Sequence, residues 1–210
     1  MKKLFATVIF VVGICSVTFA AQIVENSSIA IMDLGTHEDA VPHEIDILNA
    51  GKASSEYLIQ RLFQIGKFNL MDRTLVEEKI SAANLNTTGL IDPDTAKKIG
   101  ELLGAQYLVY GNVNDVTLSE TGAETVGVGL DFSTVTVKAH LIVRVMDIST
   151  GQIIGAAKGE GISKGSFVRI KGGPVATVSI GRTKVTQDSV HNALQQAAFA
   201  TVDKLIKQIY

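Results

Sequence analysis

The chain has 210 residues, 46% of them hydrophobic, and a formal net charge of −2. Its 19 basic and 21 acidic side chains are interspersed without a block of either sign, which excludes a charge-driven nucleic-acid binder. The single cysteine, Cys15, excludes a disulfide framework, and an aromatic content of 6% without Trp makes the core aliphatic.

The chain opens with Met1-Lys2-Lys3, continues with an apolar run from Leu4 through Val12, and reaches small residues at Thr18-Phe19-Ala20-Ala21. A short basic head, an apolar segment too short to span a bilayer and a small-x-small ending describe a secretory signal peptide cut between Ala20 and Ala21. Gly13, Ser16 and Thr18 interrupt the run and no second basic flank follows it, which argues against a membrane anchor. The organisation is therefore a signal peptide over 1–20 and one domain over 21–210. The mature chain is expected outside the cytoplasm, away from ATP and nicotinamide pools. A lipoprotein signal needs a small residue before the acylated cysteine; Ile14 precedes Cys15, so acylation is not expected.

In chain order, Ile29-Ala30-Ile31-Met32 reads as a buried strand, and residues 35–50 as a long acidic loop. Leu58, Leu62 and Ile65 share one helical face, predicting a helix from about Ala53 to Ile65 with Gly66 as its stop. A short strand is expected at Phe68-Asn69-Leu70-Met71. Thr74 and Glu77 have capping-box spacing, predicting a helix to about Ala83. Asp92-Pro93 starts the next helix, whose apolar face is Ile99, Leu102 and Leu103 and whose end is Gly104. Residues 105–113 form a buried strand, and 135–145 a strand with apolar odd positions and wet even ones. After a turn at 147–151 and further strand-rich sequence, a closing helix is expected from about Asp188 to Ile209. The order gives an α+β fold, a mixed sheet flanked by helices, with two extended glycine-rich β-hairpins and a C-terminal helix.

The hairpins are read at about 116–134 and 160–182. In the first, Val126, Val128, Leu130 and Phe132 are apolar at even positions, and the apolar parity switches to odd from Val135. Such a switch means either a bulge or a strand passing from one environment to another near Ser133-Thr134. In the second, Phe167, Val168 and Ile170 lead to Gly172-Gly173-Pro174 and return through Ala176, Val178 and Ile180. An apolar side opposite small polar residues fits barrel strands between lipid and water, and equally fits surface hairpins packed on a core.

Catalytic and metal-binding patterns are absent from the sequence. His37 and His43 share a loop with Glu38, Asp39, Glu44 and Asp46, but their spacing matches no established ligand set. His140, on a wet strand face, and His191, near a helix start, read as solvated. No nucleophile elbow or phosphate-cradling glycine loop occurs. The expectation is a protein that is not an enzyme and holds no cofactor or metal.

The segments Ile29-Ala30-Ile31-Met32-Asp33-Leu34, Gly66-Lys67-Phe68-Asn69-Leu70-Met71-Asp72-Arg73, Leu103-Gly104-Ala105-Gln106-Tyr107-Leu108-Val109-Tyr110-Gly111 and Val145-Met146-Asp147-Ile148-Ser149-Thr150-Gly151-Gln152-Ile153-Ile154 resemble, in order and spacing, the curli production assembly family, CsgG/HfaB. The resemblance covers nearly the whole mature chain. It implies an exported, outer-membrane-associated, homo-oligomeric ring that secretes unfolded protein, each subunit lending two hairpins to a shared barrel. It also implies that the loop holding His37, Glu38, Asp39, Pro42, His43 and Ile45 narrows the channel. Val126, Val128, Leu130, Phe132, Val168, Ile170, Val178 and Ile180 would then face the membrane. Curli channels carry Tyr and Phe at their constriction, which this loop lacks. The alternative is a soluble periplasmic module that binds an envelope or secreted protein and never inserts.

Overall fold

The computed structural model describes residues 26–36, 38–42, 47–85, 91–124, 129–172 and 176–210. The expected signal peptide, Val126, Val128, His37, His43 and Ile45 lie outside them.

Strands β1 (Ser28–Ile31), β2 (Gly35–Thr36) and β3 (Asn69–Leu70) are short, whereas β4 (Tyr107–Glu124), β5 (Leu130–Asp147) and β6 (Gln152–Gly172) are long. With β7 (Ala176–Ile180) they form one seven-stranded mixed sheet ordered β3-β1-β4-β5-β6-β7, with β2 beside β4. The pairs of β1 with β3 and of β4 with β1 and β2 are parallel, and all others are antiparallel. Helices α1 (Ile47–Ile65) and α4 (Arg182–Ile209) cover one face, and α2 (Arg73–Ala82) and α3 (Pro93–Leu103) cover the other. The α+β expectation holds.

The hairpins are not separate elements. Residues 105–113 and the first arm at 116–119 belong to the single strand β4, and β5 carries both the amphipathic strand and the second arm. A register shift between Val113 and Asp115 keeps the strand continuous and places Val113 and Val116 on the same face. We call the helix-flanked half of these strands the root and the opposite end the tip.

Two helices begin earlier than their apolar period suggests. At the start of α1, Gly51 lies so close to the Leu34 carbonyl that a Cβ would overlap it, so a residue of low helix propensity is the one that fits. The first turns of α4 bury Thr186 and Ser189 rather than hydrophobics, which hides the periodicity upstream of Asp188. The cap of α2 also differs from expectation. Asp72, not Thr74, accepts from the Leu75 N–H at 3.2 Å, and Glu77 receives Arg73 Nε instead of reaching back to a cap. At α3 the expected signals hold: Asp92 caps, Pro93 starts and Gly104 ends the helix at φ 71°.

The main core joins Leu58 and Leu62 of α1, the odd residues of β5 from Val135 to Val145, and Val190, Leu194, Val202 and Leu205 of α4. A second core under α2 and α3 joins Met32, Leu108, Tyr110 and Met146 to Val76, Ile80, Ile99 and Leu103. The two helices over the main core are tied by Arg61, which pairs with Asp203 at 2.8 Å and lies 5.4 Å above the Phe199 ring.

Candidate assembly surface at the sheet tip

The second core ends near Tyr110 and Met146, so beyond that level no helix among the described residues lies over the outer face of β4, β5 and β6. Register then fixes what this face presents. Nearest the root stand Asp115, His140 and Glu160, abreast on adjacent strands. Next come Thr117, Lys138 and Ile162, and above them polar pairs such as Thr134 with Ser166. At the tip Phe132 pairs with Val168 and Val168 with Ile180, while Leu130 pairs with Ile170 and Ile170 with Val178. These six positions therefore share one face, with Phe132 59%, Ile180 57% and Ile170 38% exposed. The structure brings together all of the expected hairpin positions that it describes.

The parity switch near Ser133 comes from a change of environment and not from a bulge. Odd positions of β5 stay buried through the switch, Ser133 at 1% and Asp131 at 6% exposure, and neither ladder shifts register there. What changes is residue type: the face that is apolar and buried in the root becomes polar and buried at the tip. The charged groups are paired. Arg169 and Arg182 both bond the Glu120 carboxylate, the latter at 3.3 Å, and Arg169 stacks 5.5 Å from the Phe167 ring. The Ser133 and Thr186 hydroxyls are buried beside them without a hydrogen-bond partner.

The glycines of β6 serve a different purpose from the one the hairpin pattern suggested. Over 159–165 the small residues do not form a wet face. A Cβ on Gly159 would overlap Thr201 and the Ala197 carbonyl, one on Gly161 the Ala193 carbonyl, and one on Gly165 Val185. The stripe is the seat of α4, which lies against the strand so closely that at these three glycines even a Cβ would overlap it.

The loop after β1 is anchored at the root. Gly35–Thr36 pairs with Asn112 and Val113 of β4, a 3-10 turn follows at Glu38–Ala40, and Ala40 and Val41 are buried in the main core. Asp39 is exposed and Pro42 half-buried. Both ends of the loop are tied to α2 by Arg73, which bonds Asp33 before the loop, Glu56 on α1 at 2.5 Å and Glu77 at 2.7 Å. Ser55 adds a second tie, its hydroxyl accepting from the Leu34 N–H at 2.9 Å. Burial pushes the Asp33 carboxyl above the ordinary carboxylate range despite Arg73, whereas the hydrogen bond from Arg73 holds Glu77 below it. A cavity of about 320 Å³ beside this cluster is lined by Met32, Asp33, Lys52, Arg73 and Ser81, but the Arg73 donors are already committed to carboxylates. Arg73 stood in a motif marked in the sequence; Glu77 lies one turn on, but its other partners, Glu56 and Asp33, 17 and 40 residues away, left no local signal.

Of the two histidines read as solvated, His140 is half-buried, its Nδ1 2.9 Å from Asp115 and its Nε2 3.7 Å from Glu160. His191 Nδ1 lies 3.2 Å from the Tyr57 hydroxyl. Among the described residues no group of His, Cys, Asp and Glu is placed to hold a metal. Among them also no helix is long and apolar enough to cross a membrane, a statement that leaves strands aside.

Among solved structures the fold is similar to the C-terminal domain of LpoB from Salmonella enterica, with TM-score 0.45 and 19% identity over 66% of this chain and 84% of that one. It is similar also to the lipoprotein GNA1162 from Neisseria meningitidis, with TM-score 0.44 and 14% identity over 78% and 94% of the two chains. The PelC dodecamer from Paraburkholderia phytofirmans matches with TM-score 0.36 and 9% identity over 88% and 92%. No curated protein matches the chain. The model of the curli production assembly/transport component CsgG matches residues 16–210, and the chain belongs to that family.

Proposed function

We propose that this chain is an exported, non-enzymatic component of the cell envelope whose copies associate side by side into a ring, their tips forming a shared β-barrel pore for unfolded protein. The observation that carries the reading is the open outer face at the tip, where Leu130, Phe132, Val168, Ile170, Val178 and Ile180 align across three strands. Barrel closure takes about eight strands or more, so the long strands of one copy do not suffice. Both ends of the sheet can accept a neighbour: among the described residues β4 beyond Val113 has no strand on the side away from β5, and β7 has none on its outer side. In this reading His37, Glu38, Asp39, Pro42, His43 and Ile45 belong to the loop that narrows the channel. Val126 and Val128 extend the membrane face.

Phe132→Arg tests the reading. On a soluble protein this exposed position tolerates the change to within about 0.5 kcal/mol. On a lipid-facing strand the same arginine costs about 2–4 kcal/mol near the bilayer midplane. The expected result is a variant that melts like the wild type after refolding in buffer but loses its place in the membrane pellet. Mass photometry of the detergent-extracted mature protein gives the second readout, and a sole monomer peak overturns the ring.

One observation favours a second reading, a soluble periplasmic module that docks an envelope protein on the tip. The inner face of the tip is closed in the single chain by α4 and by Glu120 with Arg169 and Arg182, so it has no need of a lumen. A high-salt wash separates the two, since a docked module leaves the membrane and an inserted ring stays.

A further inference from the structure

Strand β6 is 21 residues long, yet β7 pairs only with its last turnward stretch, from Val168 to Gly172. Among the described residues no strand lies along the outer edge of β6 over residues 152–167. An unpaired edge of that length offers a row of N–H and C=O groups to any strand that meets it.

Helix α4 closes this edge with side chains. Gln208 Oε1 accepts from the Ala156 N–H at 3.1 Å, Lys204 Nζ donates to the Lys158 carbonyl at 2.7 Å, and Gln196 Oε1 accepts from the Ile162 N–H at 3.3 Å. The three backbone positions are all even, as required of groups pointing to the same edge. On α4 residues 196, 204 and 208 are spaced by multiples of four and lie on one stripe, descending as the strand ascends. All three side chains are exposed, so core packing does not account for their placement.

We propose that Gln196, Lys204 and Gln208 are edge guards, occupying the hydrogen-bonding positions that the free β4 edge of a second copy would otherwise take. The occupant they exclude follows from the sheet itself. Among the described residues the edge of β4 beyond Val113 is the longest other unpaired stretch, since β7 and β3, whose outer edges are also free, are only five and two residues long, and a chain with a free edge on either side of its long strands associates head to tail. If that edge slid down from the tip of a neighbour to its root, the copies would join out of register, and the ring would give way to an open-ended stack. The guards leave the tip as the place where strands of different copies pair; that last clause rests on the ring reading, whereas the guarding of β6 does not.

The local test is hydrogen exchange on the mature protein. The Ala156 and Ile162 amides are expected to exchange more slowly than those of Glu160 and Lys164, which face the same edge. Gln196→Ala should speed Ile162 by roughly tenfold, the equivalent of one hydrogen bond, and leave Ala156 unchanged. Equal exchange at all four amides overturns the proposal. The assembly test is the triple variant Q196A/K204A/Q208A, which should keep its far-UV spectrum and form species larger than wild type by light scattering, growing with concentration. Adding Ile162→Pro, which removes an edge N–H without touching the β5 ladder, should return the wild-type distribution. A triple variant of wild-type size at every concentration overturns the proposal, as does excess association that survives the proline. The wild-type oligomer itself scores the ring reading; the guards are scored by the difference between variant and wild type.

Discussion

Root and tip are built from the same strands with the same alternation and differ only in what covers them. In the root both faces of β4 and β5 lie under helices, so Leu108 and Leu141, on opposite faces, are each 0% exposed. At the tip α4 still covers one face, but among the described residues the other is open, and Phe132 is 59% exposed next to Ser133 at 1%. The lesson is that apolarity and burial come apart along a single strand. In the root hydrophobic side chains fill the interior, and at the tip they are displayed while the buried side turns to paired charge and small hydroxyls.

The largest expected contrast follows directly. Leu141→Ala removes a fully buried side chain from the main core and should cost about 2–5 kcal/mol, whereas Phe132→Ala should stay within about 0.5 kcal/mol in solution. Urea melts of the two variants check it; a costly Phe132→Ala would mean that the tip is packed against something in the free protein. The glycines sharpen the same comparison. A Cβ on Gly161 overlaps the Ala193 carbonyl, while one on Gly122 at the tip meets the Ser133 hydroxyl at 3.1 Å and the Phe132 carbonyl at 4.0 Å. Gly161→Ala should therefore cost about 1–3 kcal/mol as α4 is forced off its seat, and Gly122→Ala clearly less.

A further root prediction concerns Arg73. Its removal leaves Asp33, Glu56 and Glu77 facing one another, so Arg73→Met should destabilise by about 1–3 kcal/mol at neutral pH. The sign with pH is fixed by the two shifted carboxyls. Asp33, raised by burial, favours folding as pH falls, and Glu77, lowered by Arg73, favours it above its unfolded value and loses that contribution on acidification. Without Arg73 only the first trend remains, so the variant should recover part of its deficit as pH falls from neutral through and below the ordinary carboxylate range. A deficit that is constant across that range would show that Arg73 acts through packing alone.

Most of the fold was legible because it rests on local signals. Asp92-Pro93 and Gly104 bracket α3 as read, and the odd-position run of β5 is the strand it looked like. The early turns of α1 and α4 were hidden because their buried positions are Gly51, Thr186 and Ser189, residues chosen for close approach rather than apolarity. The six aligned tip positions were legible one strand at a time, but their common face depends on register across β5, β6 and β7, which no single strand encodes. The Arg73 cluster, the Glu120 pairs and the α4 side chains on β6 join residues far apart in sequence, and only the assembled sheet brings them within bonding distance.

The smallest expected effect lies at the seam between root and tip, where Asp115, His140 and Glu160 stand abreast on the open face. Burial pushes the Asp115 carboxyl upward, but hydrogen bonds from Asn114 and His140 outweigh it and hold the group below its ordinary value. A lowered folded value means that the ionised form stabilises the fold above the unfolded value, and that this contribution disappears as pH falls through the folded one. The Asp115 side chain is 35% exposed, so solvent screening reduces the contribution to at most about 1 kcal/mol. Asp115→Asn keeps the shape and an acceptor for His140 while removing the titration. Its melting temperature should therefore lie slightly below wild type at pH 7 and converge on it as pH falls below the ordinary aspartate value, where the wild-type carboxyl loses its charge. Curves that remain parallel over this range would show that the Asp115–His140 bond holds the seam by geometry alone. In that case the open face is set by strand register and not by charge.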